Sequence, residues 1–197
     1  MTAERQRLFV AVDPAPHAVA DLSALVADLH VAKAKARLAA PERWHITVAF
    51  LGDVAVEQID GVTSVLAAVA SGSAAVPLRI VGGGSFNRGP GTVLWAGLGG
   101  DVDALAALAR RVRRELRRVR VRSDRKPYRP HLTIARPGDR IARDLVKADV
   151  ATLAAYQGPE WTASELRLMR SHLGPTPHHE PLASFPLTTP ACPHRTA

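Results

Sequence analysis

Two short segments hold the side chains best suited to moving protons around a phosphate. His45-Ile46-Thr47 opens the stretch HITVAFLGD, and His131-Leu132-Thr133 opens HLTIARPGD. The two share His, Thr, Ala, Gly and Asp at equal offsets and stand 86 residues apart. An imidazole titrates near pH ~6.5, so one of two rings can be neutral while the other is charged. The neutral ring can take a proton from water or a hydroxyl, and the charged ring can give one to a leaving oxygen. Each such positioned transfer is worth roughly 10²–10⁴ in rate. Threonine hydroxyls can donate to the non-bridging phosphate oxygens, where negative charge gathers. This chemistry requires no metal and no cofactor, and none is expected.

A single His-x-Thr in a strand is a weak signal, because it is usually a packed core or edge histidine. Its recurrence is what counts. Side chains at i and i+2 of a strand share a face. His45 and Thr47 therefore share one face, with Ile46, Val48 and Phe50 on the other; His131 and Thr133 lie opposite Leu132 and Ile134. A repeat kept for packing alone would preserve only the buried alternate positions, whereas here the polar face recurs as well. A zinc reading falls short. Two histidines lack the usual third protein ligand, and Asp53 and Asp139 stand eight residues beyond each His, at the strand exits. The neighbouring His178-His179 pair is read as part of a turn.

The elements that must position these residues follow a doubled rhythm. Leu8–Val12 and Val93–Leu98 read as buried strands, and Leu8–Val12 lies as far ahead of His45 as Leu94–Leu98 does ahead of His131. A helix follows each. Ala18, Leu22, Leu25, Val26 and Leu29 form one apolar stripe, started by Pro14 and Pro16. Leu105, Leu108, Val112, Leu116 and Val119 form the other, with Asp101 as cap. Each His-x-Thr strand then ends at Gly52 or at Pro137-Gly138. Second helices are expected at about 54–70 and 140–153, and further strands at 76–82 and 161–170. A closing strand is expected at about 182–188. The fold class is α+β or α/β with a pseudo-twofold axis. Residues 1–188 form one domain of two repeats, about 5–82 and 92–170. Residues 189–197 are expected to form a disordered tail. The Gly-rich stretch 82–91 reads as a flexible connection; no Gly-Lys-Ser/Thr follows it, so it is not a phosphate loop.

Composition agrees with a folded domain. The chain has 197 residues, 47% apolar and 22% charged, enough for burial to outweigh chain entropy. No apolar stretch approaches the roughly 20 residues of a membrane span, and the N-terminal apolar run is too short for a signal peptide. Cys192 is the one cysteine, so no intrachain disulfide and no Cys-based zinc site can form. A cytoplasmic, monomeric protein without membrane contact is expected. The formal net charge is +8. That excess suits polyanionic or phosphorylated partners, and Arg110 through Lys126 concentrate much of it as either an RNA-tracking stripe or a solvated face.

The motifs resemble the 2H phosphoesterase superfamily, and within it the LigT-like RNA 2′,3′-cyclic phosphodiesterases formerly described as 2′-5′ RNA ligases. Trp44–Gly52 is similar to the first signature with its Phe-Leu-Gly extension, and Tyr128–Arg136 to the second with its preceding Pro and trailing Ala-Arg. Arg7–Val12 and Val93–Gly97 fit too, so the resemblance covers about residues 5–188. It implies a bilobal α+β fold, with two pseudo-twofold-related lobes of antiparallel sheet and helices around a central cleft. It implies hydrolysis of RNA 2′,3′-cyclic phosphate ends to 2′-phosphates, with His45 as proton donor and His131 as acceptor. Thr47 and Thr133 would hold the phosphate, and Arg136 and Tyr128 would contact substrate. In a regular strand Arg136 points away from His131, but Pro137 signals a bend there. Tyr128 and Phe50 are candidates for stacking on a base, although alternation gives Phe50 a core role. One departure is His179, at a position where the family often has Tyr, which bears on fine substrate selection. The other readings are small cyclic nucleotides as substrates, 2′-5′ RNA end joining, or a non-catalytic RNA-binding module.

Overall fold

The computed structural model describes residues 4–88, 91–138, 141–174 and 177–189. Asp139, Cys192 and the tail beyond 189 lie outside the described residues. In chain order the first half holds β1 (Arg5–Val12), α1 (Pro16–Asp28), α2 (His30–Lys33), β2 (Arg37–Leu38), β3 (Ile46–Ala55), α3 (Ile59–Ser71) and β4 (Val76–Arg88). The second half holds β5 (Gly91–Gly100), α4 (Val102–Arg118), β6 (Leu132–Arg136), α5 (Arg143–Ala154), β7 (Gln157–Ala163), β8 (Glu165–His172) and β9 (His178–Pro186). No described helix is long and apolar enough to cross a membrane.

Local chemistry explains the helices. Pro16 opens α1, where its missing N–H costs nothing, and Ala18, Leu22 and Val26 turn one face inward. The Asp101 carboxylate caps α4 by accepting from the Ala104 N–H at 2.9 Å. Leu105, Leu108, Val112 and Leu116 are buried along α4, each side chain worth roughly 1.5–3 kcal/mol on burial. Val119, expected on this stripe, lies past the helix end and is 37% exposed.

The strands form two antiparallel sheets, ordered β3-β1-β8-β9 and β2-β6-β5-β4-β7. The closing strand of each repeat leaves its own half: β4 pairs with β5, and β8 pairs with β1. Each sheet is therefore built from both repeats. Read position for position, β3-β1-β8-β9 matches β6-β5-β4-β7, so the pseudo-twofold relation arises by strand exchange. The helices follow the same rule. α3 and α4 pack on the first sheet, and α1 and α5 on the second. One hydrophobic cluster joins both, with Leu8, Val10 and Leu168 from the first sheet and Ile80, Leu94 and Ile134 from the second.

Several boundaries differ from the sequence expectation. The glycine run is not a loop. β4 continues through Gly82–Gly84 and pairs with β5 up to Arg88. Gly84 has no side chain because Trp95 lies over it; an added Cβ would meet the indole Cζ2 at 2.7 Å. The expected strand 161–170 is two strands in different sheets, β7 beside β4 and β8 beside β1. β9 starts at His178, so the His178-His179 pair is strand rather than turn. Gly52, at φ +69°, sits at a bulge instead of ending β3. The repeat register also slips: Val10 pairs with Ala49 as Leu94 pairs with Ala135, so Leu94 matches Val10 rather than Leu8.

A buried carboxylate holds the α1–α2 corner. Asp149 on α5 is 1% exposed and accepts from the His30 N–H at 2.8 Å, the Val31 N–H at 2.9 Å and His30 Nδ1 at 2.8 Å. Asp149→Ala strips three donors of their acceptor and should cost about 3 kcal/mol in urea denaturation, with Asp149→Asn losing less. A loss in Asp149→Ala as small as a surface substitution's, within about 0.5 kcal/mol, would show that water replaces the carboxylate.

Candidate active site

Each catalytic-type histidine stands at the residue just before its strand. His45 precedes β3 and His131 precedes β6. Each ring is tied to its own backbone two residues back. His45 Nδ1 is 2.9 Å from the Arg43 carbonyl, and His131 Nδ1 is 2.7 Å from the Arg129 carbonyl. A carbonyl can only accept, so Nδ1 carries the hydrogen in both rings. Nε2 is left as the atom able to take or give a proton. Thr47 and Thr133 follow, both half-buried, while Ile46, Val48, Leu132 and Ile134 are sealed in the core.

A matching bulge follows each threonine. Ala11 pairs with Thr47 and Val10 with Ala49, skipping Val48; Trp95 pairs with Thr133 and Leu94 with Ala135, skipping Ile134. The skipped residue reverses the alternation. Phe50 and Arg136, each five residues past its histidine, return to the face of the threonines. Burial agrees, since Ala49 and Ala135 are buried whereas Phe50 is half-exposed and Arg136 exposed. Phe50 is therefore not the core residue that strict alternation predicts; the Arg7 guanidinium sits 4.8 Å from its ring centre. Arg136 is turned by the bulge at Ile134, upstream of the proline expected to turn it.

The walls around the two rings differ. His45 packs against Phe9, with ring centres 4.8 Å apart, and meets His179 edge-on at 5.3 Å. His131 meets the edge of Phe86 at 5.2 Å and Trp95 at 6.4 Å, and these two aromatics stack at 5.0 Å. Burial pushes the His45 pKa below its ordinary 6.5; the bond to Arg43 and the Asp13 carboxylate oppose this, while positive charge on His131 adds to it. The two imidazoles thus lie within electrostatic reach of each other. Asp13, just past β1, is itself pushed up by burial and held by Arg167 at 2.6 Å. His179 is pushed down to about 4 by burial and by positive charge on His45, Arg43, His178 and His172. Its Nδ1 is buried without a hydrogen-bond partner among the described residues.

Tyr128, a candidate for contacting substrate and stacking on a base, is half-buried. Its ring packs against the core with the Arg113 guanidinium 5.4 Å from its centre, and its hydroxyl is buried. Asp13, Phe9, Phe86 and Trp95 carry no signal in the sequence that marks them for the site. Asp13 and Arg167 meet only because β8 crosses to lie beside β1, and no local pattern announces that. Among the described residues, no group of three His, Cys, Asp or Glu side chains is placed to hold a metal ion.

Comparison with known proteins agrees with the motifs. A protein of Geobacillus stearothermophilus named RNA 2′,3′-cyclic phosphodiesterase is 35% identical over 147 residues, 74% of this chain but 46% of that protein's length. This chain thus spans about half of that relative. A protein of the same name from Methanothermobacter thermautotrophicus is 28% identical over 170 residues, covering 86% of this chain and 91% of the relative. Two solved structures share the fold. E. coli LigT complexed with 3′-AMP superposes with TM-score 0.75 at 22% identity, and TT0787 of Thermus thermophilus with 0.77 at 24%. Each match covers 94% of this chain and 100% of the other. Residues 9–175 match the 2′-5′ RNA ligase superfamily. With both His-x-Thr signatures inside that span, the chain belongs to the 2′-5′ RNA ligase superfamily.

Proposed function

We propose that this protein hydrolyses the 2′,3′-cyclic phosphate at RNA ends to a 2′-phosphomonoester. The observation that carries the reading is the paired Nδ1–carbonyl tie, which leaves two Nε2 atoms free for proton transfer. In the reaction His131 Nε2 takes a proton from water as its oxygen attacks phosphorus. The P–O3′ bond breaks, and His45 Nε2–H protonates O3′. One water is consumed, and a 3′-hydroxyl and a 2′-phosphate are left. Thr47 and Thr133 donate to the non-bridging oxygens, and Arg136 adds positive charge on the same face. Phe86 and Trp95, both partly exposed, offer apolar walls for a ribose or base, while the buried Phe9 backs the His45 ring. Tyr128 supports this site from behind by stiffening the segment that leads to His131. The names of the two curated relatives support the same substrate. The proposed enzyme acts as a cytoplasmic monomer and without metal.

The roles make a demand on His45. A proton donor must be charged, yet burial disfavours its charged form. Asp13 opposes that burial in the free protein, and a bound phosphate anion would oppose it further. Asp13 is thus a positioning and tuning residue in this scheme, not a proton carrier.

Two measurements test the reading. His45→Ala and His131→Ala should each lower kcat by at least ~10² on an RNA ending in a cyclic phosphate, with chelator present. Retained turnover in either variant, or dependence on added metal, would remove the scheme. The second concerns pH. His45 should titrate below 6.5 by NMR, and Asp13→Asn should move its midpoint lower still, because the charge that favours the imidazolium is gone. The pH profile of kcat/KM should be bell-shaped, and part of it should shift to more acidic pH in Asp13→Asn. An unchanged or raised His45 midpoint would deny Asp13 this role.

A further inference from the structure

The positive charge of this protein is confined to one stretch. Residues 110–129 contain eleven of the 26 Lys and Arg residues and two of the 18 acids. That stretch carries +9, and the rest of the chain sums to −1. On α4, Arg110, Arg114, Arg117 and Arg118 fall at i, i+4, i+7 and i+8, and all are exposed on the face opposite the buried Leu105–Leu116 stripe. Beyond the helix, Arg120, Arg122, Arg125, Lys126 and Arg129 are exposed along the arm formed by residues 119–131.

The arm is fixed in place beside the site. The Asp124 N–H donates to the Phe50 carbonyl at 2.9 Å, which fastens the arm to β3. Arg113 braces it from α4, donating to the Lys126 carbonyl at 3.1 Å and pairing with Asp124 at 3.2 Å. The arm ends at Arg129, whose carbonyl holds the His131 ring. The two acids of the stretch are already engaged by arginines, Glu115 by Arg114 and Arg118 and Asp124 by Arg113. Arg111 and Arg113 serve the fold, Arg111 by bonding Gly72 and Ser73. The exposed remainder repel one another, a standing cost that a polyanion laid along them would offset. A mononucleotide held between the two histidines would leave most of these charges unmet.

We propose that the outer face of α4 and the 119–131 arm bind the single-stranded body of an RNA whose 3′ end enters the site, so that the preferred substrate is an oligonucleotide. This rests on the reaction above only for which end of the strand is held. Two readouts separate the claims. One is anisotropy of a labelled 12-mer RNA with a 3′-phosphate, which needs no turnover. The other is the ratio of kcat/KM on a cyclic-phosphate 12-mer to that on a 2′,3′-cyclic mononucleotide. In Arg117→Gln/Arg118→Gln/Arg122→Gln/Arg125→Gln, the 12-mer should bind at least ~10-fold more weakly. The slope of log Kd against log salt should fall by about 3, at roughly 0.7 per lost phosphate contact. The kcat/KM ratio should fall with the affinity. The double variant Arg122→Gln/Arg125→Gln, confined to the arm, should show about half the slope change and guards against misfolding of α4. Unchanged affinity and ratio would overturn the proposal. So would preference for phosphatidylserine–phosphatidylcholine vesicles or duplex DNA over the RNA. Wild-type protein that binds the 12-mer but turns over neither substrate would refute the reaction and leave the RNA track standing.

Discussion

The hydrogen bond from each imidazole Nδ1 to the carbonyl two residues before it is the constraint on which the site depends. A neutral imidazole has one proton and two nitrogens, and either can carry it. Bonding Nδ1–H to a carbonyl removes that freedom and fixes the ring plane. The backbone that supplies the carbonyl is stiff in both repeats. Before His45 the chain makes a short 3-10 turn, Pro41–Arg43, anchored by the Trp44 indole donating to the Ala39 carbonyl at 3.0 Å. Before His131 stands Pro130, with its φ locked by the ring. Both rings therefore present the same nitrogen from the same kind of entry into a strand. That shared entry turns the Nε2 atoms of two distant segments out in the same way.

Equivalent rings are useful only if their separation is held. Had each repeat folded into its own lobe, the glycine-rich stretch would have been a hinge between two bodies. Strand exchange prevents this. β4 and β8 each pair across to the other repeat, so moving one repeat against the other would break the β4–β5 and β1–β8 ladders, and moving one sheet against the other would open a shared core. The glycines of β4 serve that end. They let the strand pass under Trp95, whose indole stacks with Phe86 beside His131. A stretch that reads as slack in the sequence is thus part of what keeps the two histidines in register.

The residues most legible in the sequence are those whose placement depends on local spacing. His45, Thr47, His131 and Thr133 recur at fixed offsets, and a strand period of two puts each pair on one face. The helix stripes and the Asp101 cap are legible for the same reason. What escapes is non-local. Alternation assigns Phe50 to the core only while the ladder is unbroken, and the bulge at Val48 is set by pairing with β1. The 161–170 run reads as one strand because nothing within it announces that Ala163 and Glu165 belong to different sheets. Asp13 meets Arg167, and Asp149 meets the start of α2, only in three dimensions. His179 is visible as a departure from the family pattern, but its contact with His45 depends on β9 beginning four residues earlier than its apolar run suggests.

Symmetry supplies two similar rings, but acid–base catalysis needs two different ones, because a proton must be present on one and absent from the other. The difference lies in the walls. His45 is flanked by Phe9 and His179 and faces the Asp13 carboxylate, so burial and charge act on its proton in opposite directions. His179, pushed down to about 4, stays uncharged at neutral pH and so adds bulk beside His45 without a competing positive charge. His131 instead stands against Phe86 and Trp95, the latter directly across the ladder from Thr133. In the matching place of the other repeat, across from Thr47, stands Ala11. Exchanging a methyl group for an indole at one pseudo-equivalent position makes the His131 side a broad aromatic surface. The His45 side keeps room for the Asp13–Arg167 pair. The duplicated backbone thus sets where the two nitrogens are, and the unduplicated side chains set what each can do.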